Sequence, residues 1–152
     1  MADRLRVLGP DHLDTLLTRG DLAYLRGATG DLVGAVAAHE QLFVDRLRVL
    51  GPEHPRTLVI RSSLAYWRGR AGDIAGAMAE FEELLADQVR ILGPAHPETL
   101  GTRGNIATLR GEAGDAVGAA AELEKLLADR LRILGPGHLD TPATGHHFDR
   151  WQ

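Results

Sequence analysis

His12, His54, His96 and His138 stand 42 residues apart each time. Histidine can ligate a metal or carry a proton, so their spacing decides which chemistry is open to them. A metal site needs several ligand nitrogens within roughly 2.1 Å of one ion. Residues one repeat apart in stacked helix pairs sit roughly two interaxial distances apart, about 8–10 Å each. The histidines therefore form a ladder, and the expectation is structural: packing in a turn and bonding a nearby backbone group or acid. His146-His147, with His138 and Asp149 nearby in sequence, is the alternative cluster. Adjacent residues do not share a helix face, so no metal and no cofactor are expected there either.

The arginines recur with the same interval: Arg19 and Arg26, Arg61 and Arg68, Arg103 and Arg110. Leu58, Arg61, Ala65 and Arg68 follow steps of three and four, which places both arginines on or beside a packing stripe. A buried cation needs a partner. Repeating acids are available: Asp31 and Glu40, Asp73 and Glu82, Asp115 and Glu124, with Asp3, Asp45, Asp87 and Asp129. Two readings follow. One is a ladder of arginine–carboxylate pairs between helices. The other is an exposed arginine row gripping an acidic peptide or a phosphate, to which guanidinium forks are suited.

Catalytic signatures are missing. No Gly-rich phosphate loop leads into Lys-Ser/Thr, and there is no Gly-x-Ser-x-Gly elbow and no His-Glu-x-x-His. Gly27, Gly30 and Gly34 are helix punctuation, since no strand precedes them. The chain has no cysteine, which excludes disulfides and thiolate chemistry. A net charge of −4 makes nucleic acid a poor partner. No apolar window is long enough to cross a membrane, and no signal core follows Met1-Ala2-Asp3-Arg4. Together with 44% hydrophobic and 25% charged residues in a chain of 152, this predicts a soluble, folded, cytoplasmic protein that is not an enzyme.

The elements that must position these residues are repeats. Full units run 3–44, 45–86 and 87–128, and a partial one runs 129–152. From Asp73 to Leu92 the apolar residues fall at Ile74, Ala77, Met78, Phe81, Leu84, Leu85, Val89 and Leu92, one face of a helix. Asp73 can cap it, and Gly93-Pro94 ends it. The same pattern predicts long helices at about 31–50 and 115–134. A shorter helix at about 55–70 begins at Pro55, and its counterpart begins at Pro97. Gly30, Gly72 and Gly114, each followed by Asp, make tight turns that force the helix pairs antiparallel. Gly34, Gly76 and Gly118 inside the long helices predict close backbone crossings. Leu50-Gly51-Pro52-Glu53-His54-Pro55 is the joint between units. Strand signals are absent.

This pattern resembles the tetratricopeptide repeat. Leu22-Ala23, Leu64-Ala65 and Ile106-Ala107 match the family's Leu-Gly pair on the first helix; Gly30, Gly72 and Gly114 match its inter-helix glycine; Ala35, Ala77 and Ala119 match the small residue on the second helix. The period and the Leu-Gly-Pro-x-His-Pro joint resemble the kinesin-light-chain-like variant, as found in bacterial repeat proteins. The resemblance implies an all-α, right-handed helix-pair solenoid over 1–152 as a single domain. It also implies a concave groove lined by the first helices. The groove candidates are Leu17, Gly20, Asp21, Tyr24 and Ala28, then Val59, Ser62, Ser63, Tyr66 and Arg70, then Gly101, Asn105, Thr108 and Glu112. Tyr24 and Tyr66 are the expected anchors. Where the variant carries two asparagines before Leu-Ala, this chain has Gly20-Asp21, Ser62-Ser63 and Gly104-Asn105.

The expected function is a non-catalytic scaffold that binds a peptide or partner helix in this groove. The alternatives are an assembly module that homo-oligomerises through uncapped terminal helices, and a regulatory repeat fragment of a larger signalling ATPase. In the last unit Pro142 stands where Leu16, Leu58 and Leu100 stand, and Gly145 replaces the stripe arginine. Phe148 and Trp151 are the expected cap over helix 115–134.

Overall fold

The computed structural model describes residues 9–135, and they form six α-helices and no strand. The chain divides into two compact units, residues 1–73 and 74–152. The first holds α1 (Leu13–Ala28), α2 (Leu32–Leu50) and α3 (Pro55–Arg70). The second holds α4 (Ile74–Ile91), α5 (Pro97–Glu112) and α6 (Ala116–Ile133). The helices match the expected ones to within a residue or two. The expectations for His138, His146-His147, Phe148 and Trp151 fall outside the described residues.

The joint works as a helix start. His12, His54 and His96 are N-cap residues with extended backbone. Each Nδ1 accepts from the backbone N–H two residues on: Asp14 at 3.2 Å, Arg56 at 3.1 Å and Glu98 at 3.2 Å. An imidazole nitrogen therefore does the work usually given to Ser or Asp, satisfying one of the orphan donors of the first turn. Bonded this way, the histidines are structural.

Between the helices of each pair, Gly30, Gly72 and Gly114 adopt φ of +98°, +103° and +106°, open to glycine at no steric cost. Asp31 and Asp115 then cap α2 and α6 by accepting from Gly34 N and Gly118 N, both at 2.9 Å. This corrects one expectation. Gly34 and Gly118 do not mark helix crossings. A Cβ at either would collide with the capping carboxylate of Asp31 or Asp115.

In the first unit α2 packs on both α1 and α3, around a core of Leu16, Leu42 and Ile60 with Phe43 against it. In the second, α5 packs on both α4 and α6, around Leu100, Ala107, Leu123 and Leu126. The close approach lies on the first helix of the pair. A side chain at Gly27 would strike the ring of Trp67, so only glycine lets α3 bring its indole against α1.

Ion pairs then tie the helices together. Arg19 Nη1 meets Asp45 Oδ2 at 2.7 Å, and Arg68 Nη2 meets Glu40 Oε1 at 2.9 Å. Arg103 bridges two acids, Asp129 at 2.8 Å and Glu122 at 2.9 Å. Arg48 pairs with Asp11, joining the end of α2 to the turn before α1 and holding the Asp11 carboxyl below its ordinary range. Of the two readings of the arginines, the carboxylate ladder accounts for Arg19, Arg68 and Arg103.

Candidate functional site

The first unit contains a cleft of about 300 Å³. Leu17, Gly20, Asp21 and Tyr24 line it from α1; Arg56, Val59, Ile60 and Ser63 from α3; His39 and Arg46 from α2. Leu17, Asp21, Tyr24 and Val59 are exposed, so the rim is apolar and aromatic with one acid. Tyr24 is 57% exposed yet meets the buried Trp67 edge-on, with centroids 5.6 Å apart. Tyr66 meets the same indole at 5.0 Å. The indole thus holds two tyrosines that each keep a wet face.

The floor is polar. Arg46 is 5% exposed. Its Nη1 donates to the carbonyl of Arg56 at 2.7 Å, and its Nη2 makes a long 3.4 Å contact with the carbonyl of Leu16. Its Nε has no partner among the described residues. Gly20 lies against it: a Cβ there would sit in ordinary contact, 3.6 Å from Arg46 Nη2 and 3.4 Å from Leu42. Burial and the neighbouring Arg56 guanidinium push Arg46 below the ordinary arginine value, while Asp21 pulls the other way from beyond ion-pair range. The guanidinium remains charged. Beside it His39, 1% exposed, bonds through Nδ1 to the carbonyl of Ala35 at 2.7 Å. Burial pushes the His39 imidazole down, against the pull of that carbonyl, and Arg46 pushes it down further. The ring is therefore neutral at pH 7.

Six of the expected groove residues come together here: Leu17, Gly20, Asp21, Tyr24, Val59 and Ser63. Ala28 of α1 and Ser62, Tyr66 and Arg70 of α3 do not line the cleft, although Tyr66 adjoins it through Trp67. Gly101, Asn105, Thr108 and Glu112 belong to α5 in the other unit. Ser63 Oγ donates to its own helix at the Val59 carbonyl, as does Thr108 Oγ1 at the Gly104 carbonyl.

Arg46 and His39 lie outside the expected groove, because the family resemblance points to the short helices and both residues are on a long one. A signal was present. Ala35, His39, Leu42 and Arg46 step by four, three and four along α2, which places two polar side chains on its buried stripe.

The tetratricopeptide repeat profile matches residues 15–56 and 57–98. The chain belongs to the tetratricopeptide repeat family. Its repeats resemble the solved TPR-like repeats of a protein described as a kinesin light chain of Podosopora anserina. The identity is 26% over 99% of this chain and 71% of that one, with a TM-score of 0.72. A single-substitution form of the same repeats gives a TM-score of 0.74 at 26% identity, again over 99% and 71% of the two chains. BtubC (BKLC) of P. vanneervenii shares the fold, with a TM-score of 0.76 at 19% identity over 90% of this chain and 55% of that one. No curated protein matches. The fold class is thus an all-α helix-pair solenoid of the tetratricopeptide type, like kinesin-light-chain repeats. Such repeats generally mediate protein–protein interaction on a non-catalytic frame. Among the described residues no helix is long and apolar enough to cross a membrane, and no three His, Cys, Asp or Glu residues gather to hold a metal.

Proposed function

We propose that this protein binds a segment of a partner protein in the cleft of its first unit, as an interaction module without chemistry of its own. The observation that carries this is the rim of Leu17, Tyr24 and Val59, which are 39%, 57% and 39% exposed around a shared concavity. Apolar and aromatic side chains are left in water there, each on a rigid helix. Such a surface recovers binding free energy when a peptide covers it. Tyr24 is the principal anchor, because Trp67 fixes its ring and so reduces the entropy lost on binding.

Selecting peptides from a random library on the full chain tests this. Tyr24→Ala should weaken the selected peptides by about tenfold or more, the range of an interface hot spot, while leaving the thermal unfolding midpoint close to wild type. Peptides that bind equally well to the Tyr24→Ala variant would reject the cleft as their site.

A further inference from the structure

The first helices of the three repeats supply an internal control. Leu64 and Trp67 of α3 are buried, and so is Leu109 of α5. Leu22 stands on α1 where Leu64 stands on α3, and Leu25 where Trp67 and Leu109 stand. Both are open to water, Leu22 at 42% and Leu25 at 58% exposure. The arginine that follows differs in the same way. Arg68 meets Glu40 of α2 at 2.9 Å, and Arg110 meets Asp115 at 3.6 Å. Arg26 is exposed and meets no acid among the described residues. Leu22, Leu25 and Arg26 are three and four residues apart, so they make one open face, two aliphatic side chains beside a cation.

On α3 the equivalent face is met by α2. The His39 ring lies 6.4 Å from the Trp67 indole, Phe43 packs against the cluster that contains Ile60, and Glu40 takes Arg68. The last helix, α6, carries the same register. Leu123, Glu124 and Leu127 stand where His39, Glu40 and Phe43 stand. Glu124 is exposed and meets no cation among the described residues. The chain thus owns both halves of a contact it makes once, between α2 and α3: an open Leu-Leu-Arg face on α1 and a matching acid on α6. We propose that α6 of one copy docks on α1 of a second copy in the register in which α2 docks on α3. Glu124 of one copy accepts from Arg26 of the other, and Leu127 comes over Leu22 and Leu25. A second copy is the occupant because it offers an acid and an aliphatic side chain at the spacing that the open face requires. The two faces are different, so the contact is heterologous and builds a ring or an open chain of copies.

Sedimentation velocity on the full chain at low salt, over a concentration series, tests this. The weight-average mass should climb with concentration. Arg26→Glu and Glu124→Arg each set like charges against each other across the contact, and each should weaken association by about tenfold or more. An equimolar mixture of the two variants should restore it, because every acid again meets an arginine. Leu25→Asp, which puts a charge into the apolar part, should weaken association by about tenfold or more as well. All three positions are exposed, so the thermal unfolding midpoints should stay close to wild type. A chain that stays monomeric at every concentration would overturn the proposal. So would self-association that all three variants leave untouched, or charge variants that the mixture fails to rescue.

Discussion

The helix pair α1–α2 and the helix pair α5–α6 are the same device built twice, two repeats apart in sequence. Both have a histidine N-cap, an aspartate cap in the turn, and an arginine from the first helix tied to an acid on the second. They differ in what fills the shared positions. Leu17, Asp21, Tyr24 and His39 of the first pair correspond to Gly101, Asn105, Thr108 and Leu123 of the second. Ala38 corresponds to Glu122, so Arg103 holds two acids where Arg19 holds Asp45. The second pair spends its polar groups on itself and offers small side chains outward. Both pairs bury an arginine at the same place of the second helix, Arg46 and Arg130, and the first pair sets an aromatic and apolar rim over it. A repeat frame thus fixes the backbone and the caps and leaves a few positions free to become a site.

The shared frame should fail alike in both pairs. Leu42 and Leu126 are fully buried at equivalent places. Leu42→Ala and Leu126→Ala should each cost about 2–5 kcal/mol, read by chemical denaturation. A loss confined to one variant would break the equivalence.

Glycine substitutions should separate the pairs. Gly27→Ala drives a Cβ into Trp67 and should cost about 1–3 kcal/mol through overpacking. Gly101 has open space around it, so Gly101→Ala should stabilise by up to about 1 kcal/mol through helix propensity. Equal melting shifts for the two would contradict the packing described.

The ion pairs predict a smaller contrast. Arg103→Gln removes two partly exposed bridges and Arg19→Gln one, so the first should be the more destabilising by about 0.5–1 kcal/mol. Added salt should narrow the gap.

The gentlest contrast is in pH. His39 is pushed below its ordinary 6.5 in the folded chain, chiefly by burial. The unfolded chain then takes up the proton first as pH falls. The stability His39 contributes is present above about pH 6.5 and is lost as pH drops toward the depressed folded value. His39→Leu, which installs the residue found at the matching place in α6, should flatten this part of the melting-temperature profile between about pH 7.5 and 5. An unchanged profile would mean that His39 is not the group responsible.

Most of the frame was legible in the sequence, because it rests on local rules. The Gly-Asp turns, the proline starts and the three-four apolar steps of 74–92 each determine structure within a few residues, and α1 to α6 follow them. The candidate site was half legible. Leu17, Tyr24 and Val59 could be placed from the repeat register, because a first-helix position maps onto a surface. Arg46 was legible only as a polar residue on the buried stripe of α2. Its seat against the carbonyls of Leu16 and Arg56 is a property of three helices at once. Gly34 and Gly118 were misread for a related reason: the group that needs their space is the side chain of the preceding cap.

The claim that one helix pair binds and the other only supports is tested most directly by chemical-shift mapping. A peptide selected on the full ¹⁵N-labelled chain is titrated, and the backbone amide shifts are followed residue by residue. The largest shifts should fall at Leu17, Tyr24, Val59 and Ser63, with α6 nearly silent. Largest shifts at Asn105, Thr108 and Leu123 would contradict it.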